Sequence, residues 1–105
     1  MNEEEKNIDL RVLNEEEIEE RLKDLSGWEY NNNKISKEFK FPAFMDVINL
    51  INKLAFFCEK IDHHPDMHIF YKRVVFELTR YSVGGKVTER DFVVAREIER
   101  LFKKG

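Results

Sequence analysis

Seven consecutive residues, Glu59-Lys60-Ile61-Asp62-His63-His64-Pro65, hold two carboxylates and two adjacent imidazoles. Histidine is the side chain whose unperturbed pKa lies in the neutral range, so such a pair beside carboxylates is equipped to give and take protons. On a helix, Glu59, Asp62 and His63 stand at i, i+3 and i+4 and share one face, where the carboxylates can orient the ring. His64 is turned about 100° further round. Pro65 drives its predecessor out of the α region, which predicts that both histidines sit on a frayed helix end facing a cleft or solvent. The plain alternative is a helix-terminal pair interacting with the helix dipole. His64 and His68 have the spacing of metal ligands on a helix, but Pro65 between them breaks that geometry, and no metal site is expected. His68 alternates with Phe70 on a strand, which predicts a partly buried or edge position.

The element that must carry these residues is a long amphipathic helix. Phe44, Val47, Ile48, Ile51, Leu54, Ala55 and Cys58 recur at i, i+3, i+4, i+7, with Pro42 placed in the first turn. Met45, Leu50, Phe56 and Phe57 widen the apolar surface beyond one stripe, which fits either deep burial or cover by another subunit. Upstream, residues 1–7 are polar and aperiodic, and Ile8 to Leu13 can lie extended against the domain. Asn14 followed by three glutamates reads as an N-cap, opening a helix through Ile18, Leu22 and Leu25 that ends at Gly27. Trp28 and Tyr30, then Ile35, Phe39 and Phe41, alternate around an asparagine turn and predict a β-hairpin, with Trp28 in the core or at its rim. After Pro65, strands are expected near 67–71 and 74–82 around a turn at Lys72-Arg73, with Val74, Phe76 and Leu78 on the core face. Thr88-Glu89-Arg90-Asp91 has capping-box spacing and opens a last helix with Phe92, Ala95, Ile98 and either Leu101 or Phe102 inward. The order α-β-β-α-β-β-α predicts an α+β fold, a four-stranded antiparallel sheet with helices on one face. A single domain is assigned to residues 14–105, with 1–13 as an extension.

Composition narrows the function classes. Across 105 residues the net charge is −3, with lysines and arginines interspersed among acidic residues, so no basic stripe exists for direct nucleic-acid binding. One cysteine, Cys58, cannot form an internal disulfide and falls on the apolar side of its helix, as a small packing residue would. No apolar run approaches the ~20 residues that span a bilayer, so a cytoplasmic location away from membranes is expected.

Together these elements resemble the pterin-4a-carbinolamine dehydratases, also known as dimerisation cofactors of a liver homeodomain transcription factor. The likeness extends from about Asn14 to Phe102. It rests on Gly27-Trp28, on Lys37-Glu38-Phe39-Lys40-Phe41, on Glu59 followed after three residues by His63-His64-Pro65 and after five more by Tyr71, and on Glu89-Arg90-Asp91. The resemblance implies a dehydratase that removes water from 4a-hydroxytetrahydropterin to give quinonoid dihydropterin, in support of tetrahydropterin recycling. By the same likeness His63 and His64 are catalytic, Glu59 and Asp62 support them, Pro65 belongs to the signature, and Arg90 and Asp91 lie at the pocket rim. It implies a homotetramer of two dimers with joined sheets, a pterin as substrate, and no cofactor. Eliminating water from a carbinolamine needs one proton delivered to the departing hydroxyl and one removed from the neighbouring nitrogen, which two histidines can divide.

One position departs from the family's pattern. Tyr81 stands where a third histidine, or sometimes a tryptophan, is found, and tyrosine is a poor base at neutral pH. The loop from Tyr81 to Asp91 is one residue longer than the pattern, so Arg80 or Ser82 is an alternative occupant of that place. The rival function is an oligomeric module for a protein partner or a pterin-binding protein, such as one serving molybdenum-cofactor metabolism. Plain roles also stand for Arg90 and Asp91 as a cap and surface ion pair.

Overall fold

The computed structural model describes residues 11–104. The expectations for residues 1–10 therefore lie outside the described residues. Helix α1 (Glu15–Leu22) opens on a full capping box: Glu17 N–H donates to Asn14 Oδ1 at 2.8 Å, and Asn14 N–H donates to Glu17 Oε1 at 3.0 Å. It stops five residues before Gly27, because residues 23–27 turn to bring buried Leu25 and Trp28 onto the sheet. Gly27, at φ +87, has the left-handed backbone that this change of direction requires.

Strands β1 (Glu29–Asn31) and β2 (Lys34–Lys40) form the expected hairpin. Asn32 and Asn33 both have positive φ, 52 and 62, which is the turn geometry that matches strand twist. Pro42 precedes the next helix instead of entering it: α2 (Phe44–Ile61) is capped by Ala43 in extended conformation. Strands β3 (Asp66–Phe70) and β4 (Arg73–Leu78) follow, with the reversal at Tyr71-Lys72, one residue earlier than the sequence pattern indicated. β4 also ends sooner, at Leu78, since the chain leaves the sheet into a 3₁₀ turn (Tyr81–Val83) that carries Tyr81 out of the strand. Helix α3 (Glu89–Lys104) closes the chain.

All four strands are antiparallel in the order β1-β2-β4-β3, so β2 and β4 are central and β3 is an open edge. Ile35 and Phe39 of β2 and Val74, Phe76 and Leu78 of β4 point to one face and meet Val47, Leu54 and Cys58 of α2 and Phe92, Ala95 and Ile98 of α3 in a single core. Val94, which falls outside the expected stripe, is buried as well, whereas Leu101 and Phe102 are both half-buried. Trp28 is core: its ring meets Phe39 edge-on at 6.1 Å, and its indole N–H donates to Glu99 at 2.9 Å. Leu13 is buried too, its N–H bonded to the Val87 carbonyl, so packing begins before residue 14. On α2, Leu50 is buried and Phe57 half-buried, while Met45 and Phe56 are exposed.

Candidate active site

The site is made where α2 stops. Asp62 adopts left-handed backbone, φ 53 and ψ 49, the conformation usually supplied by glycine just past a helix. Its N–H returns to the Glu59 carbonyl at 3.4 Å and the His63 N–H to the Cys58 carbonyl at 3.1 Å, the paired bonds of a Schellman turn. Arg90 Nη1 donates to the Ile61 carbonyl at 2.7 Å, fixing the last helical residue from the first turn of α3. The chain then runs through His64 and buried Pro65 into the edge strand.

This turn overturns the expected pairing. Glu59, Asp62 and His63 do not share a helical face, because the left-handed residue swings His63 under α2 toward α3. There His63 is buried, and its Nε2 lies 2.5 Å from Asp91 Oδ1. Asp91 is completely buried, and its other oxygen accepts the Thr88 N–H at 2.8 Å. One carboxylate therefore both caps α3 and orients the histidine. Glu59 instead bonds His64, Oε2 to Nε2 at 2.6 Å, on an exposed surface. Asp62 is exposed at the mouth of the site.

On its other side the His63 ring faces Arg80, with Nη1 3.4 Å from Nδ1. A carboxylate only accepts and a guanidinium only donates, so the ring carries its N–H on Nε2 and turns the Nδ1 lone pair toward Arg80. Arg80 is steadied by an Nε–H bond to Ser82 Oγ at 2.9 Å. These groups border an open cleft of about 250 Å³ lined by Asp62, His63, His64, Thr79, Arg80, Tyr81 and Ser82. His64 is also part of the wall of a second hollow of about 370 Å³, lined by Leu54, Ala55, Cys58, Glu59, Pro65 and Met67. A larger hollow of about 570 Å³ beside Lys37 and Glu99 contains no histidine, and those two charges are spent on each other at 2.5 Å.

Tyr81 lines the cleft, but its hydroxyl donates to Asp66 Oδ2 at 2.5 Å. That bond to a carboxylate raises the phenol above its ordinary pKa, so Tyr81 is held in its protonated form. Arg90 and Asp91 are not at the rim: both are buried, one holding the end of α2 and the other holding His63. The capping reading holds for Asp91, which accepts the Thr88 N–H, but from a buried position. Thr79 and Asp66 escaped sequence reasoning, since nothing local marks the first residue past a strand or a carboxylate whose partner is fifteen residues away. His68 is an exposed edge residue bonded to Glu77 at 2.7 Å, so His64 and His68 face separate carboxylates.

Fold and site define an α+β domain with a buried, carboxylate-oriented histidine and a second histidine at the mouth of one cleft, an arrangement suited to proton transfer without a covalent nucleophile. The family model for pterin 4 alpha carbinolamine dehydratase matches residues 11–101. A Sulfolobus acidocaldarius protein named for that enzyme is 44% identical over 89 residues, covering 85% of this chain and 97% of its own. A Roseiflexus sp. protein with the same name is 40% identical over 89 residues, covering 85% of this chain and 95% of its own. Among solved structures, a transcriptional coactivator/pterin dehydratase from Brucella melitensis superposes with a TM-score of 0.82 at 33% identity, over 87% of this chain and 98% of that one. A pterin dehydratase-like RuBisCO assembly factor of the alpha-carboxysome shares the fold, with a TM-score of 0.57 at 19% identity over 70% of this chain and 84% of that one. The chain belongs to the pterin-4a-carbinolamine dehydratase family.

Proposed function

We propose that this protein removes water from a 4a-hydroxytetrahydropterin to give the quinonoid dihydropterin, the form recycled to tetrahydropterin. The observation that carries the reading is the His63 ring held between Asp91 and the cleft with His64 beside it. In the proposed step, the proton on the ring nitrogen next to C4a passes to His63 Nδ1 while that N–H bonding pair becomes the new C=N bond. The C4a–O bond breaks with its electrons going to oxygen, which takes a proton from His64 and leaves as water. Asp91 accepts from Nε2 throughout and stabilises the imidazolium as it forms, and Glu59 does the same service for His64 before the transfer. The two rings then re-equilibrate with solvent. The reaction as written uses no cofactor or metal. Tyr81, its hydroxyl hydrogen bonded to Asp66, is assigned to lining the pocket and not to proton transfer.

The same reading makes the protein cytoplasmic and a homo-oligomer. Edge strand β3 leaves Met67, Ile69 and Phe70 exposed, and α2 leaves Met45 and Phe56 exposed, with Phe56 at 82%. Apolar residues in these positions favour a second copy over water. Among the described residues no helix is long and apolar enough to cross a membrane.

The exposed face of α2 also supports the alternative of a module that docks a protein partner. Stopped-flow decay of 4a-hydroxytetrahydropterin with and without protein separates the two. The dehydratase reading expects acceleration by the wild type and at least about a 10²-fold loss in His63→Ala, the usual range for one positioned acid or base. A wild type that leaves the spontaneous rate unchanged refutes it and leaves the docking module.

A further inference from the structure

Two groups meet at the cleft with opposite hydrogen-bonding character. His63 Nδ1 presents a lone pair, and 3.4 Å away Arg80 Nη1 presents an N–H. That separation is at the long end for such a contact, so a ligand can take over either partner without loss of a strong bond. A neighbouring acceptor and donor suit a ligand that offers N–H and oxygen on adjacent atoms, which is the edge of a carbinolamine, N–H beside C–OH. Arg80 is also fixed in place. Its N–H bonds the Lys86 carbonyl at 2.9 Å, and its own carbonyl accepts from Val83, Gly85 and Lys86 at 3.3, 3.0 and 3.4 Å. Among the described residues no carboxylate pairs with its guanidinium, whose side-chain bonds go to the neutral partners His63 and Ser82. Its positive charge is therefore left for a ligand.

We infer that Arg80 is a catalytic residue that binds the departing oxygen, filling the place that Tyr81 cannot fill. The inference rests on the dehydratase reading and names the group that holds C4a–OH while His63 Nδ1 takes the adjacent N–H. Arg80 acts as a fixed hydrogen-bond donor and transfers no proton. It donates a charge-assisted hydrogen bond that strengthens as negative charge collects on oxygen in the transition state, while His64 supplies the proton. Such a bond acts on the chemical step more than on substrate binding.

Steady-state and stopped-flow dehydration of 4a-hydroxytetrahydropterin by wild type, R80A, R80K and Y81F tests this. Removing one donor to a developing oxyanion typically costs about 10²–10³-fold in kcat, and R80A is expected in that range with KM changed far less. R80K, which keeps a charge without the planar fork, is expected between R80A and wild type. Y81F is expected to lose less than R80A. Millimolar guanidinium ion added to R80A is expected to restore part of kcat. Circular dichroism checks folding, and the backbone bonds of residue 80 survive in both variants. R80A as fast as wild type, or Y81F slower than R80A, overturns the assignment of Arg80 while leaving the dehydratase reading intact. A wild type without any acceleration overturns both.

Discussion

Replacing Asp91 by asparagine separates the two tasks of this buried carboxylate. The side-chain oxygen of the introduced amide can keep the Thr88 N–H, which Asp91 accepts at 2.8 Å, and so preserve the α3 cap. The amide NH₂ then faces His63 Nε2, 2.5 Å from the present Oδ1, and sets donor against donor. Relief requires the ring proton to move to Nδ1, where it meets the Arg80 guanidinium, another donor. Losing the buried charge-assisted bond costs about 1.5–3 kcal/mol, and keeping the cap avoids roughly another 1 kcal/mol. For a domain of this size each kcal/mol lowers Tm by about 4–8 °C, so the variant should melt roughly 6–24 °C below wild type yet stay folded at low temperature. Activity should fall further than stability, since no lone pair then faces the cleft: about 10²–10⁴-fold in kcat, measured by stopped flow at about 15 °C. D91A loses the cap as well and should be less stable than D91N. Because both residues act through one bond, the effects of D91N and H63A should not add. A D91N enzyme within about threefold of wild type, or D91N and H63A effects that multiply independently, would refute the assignment of His63 Nδ1 as the base.

Acid should loosen the start of α1 through Glu17. The Arg11 guanidinium, bonded to Glu17 at 2.6 and 3.1 Å, and the Asn14 N–H hold the Glu17 carboxyl down at about 2 from an ordinary 4.5. A depressed carboxylate contributes stability above pH 4.5 that is lost as pH falls toward 2, so the difference in urea midpoint between wild type and E17Q should shrink to nothing across that window. Cys58 offers a readout of the core. Burial pushes its thiol up to about 11, so an aromatic disulfide reagent at about pH 8 should react only as fast as the protein opens, with full reaction in denaturant. Rapid labelling of the folded protein would contradict the packing of α2.

Much of the molecule could be read from the chain because it follows from local rules. Periods of 3.6 and 2, the asparagines of the hairpin turn and the Asn14 cap require only neighbours in sequence, and they placed the helices and strands of the described residues, the ends of α1 and β4 apart, to within a few residues. Boundaries moved where tertiary contacts prevailed: α1 gave up its last turn so that Leu25 and Trp28 could enter the core, and β4 ended early where Thr79 bonds the Asn33 carbonyl and Arg80 turns toward His63. Pro42 lay outside α2 because the chain needed an extended residue, Ala43, to enter it.

The chemistry divides in the same way. That His63 and His64 stand beside carboxylates at a helix end is written in seven residues. Which carboxylate serves which ring is not, because helical spacing assigns Glu59 to His63 only while the helix continues. One left-handed residue, Asp62, breaks that continuity, sends His63 to a carboxylate 28 positions away and leaves Glu59 to His64. A hydrogen bond between distant segments depends on how α2, α3 and the loop after β4 pack around a shared core, and no periodicity encodes that distance.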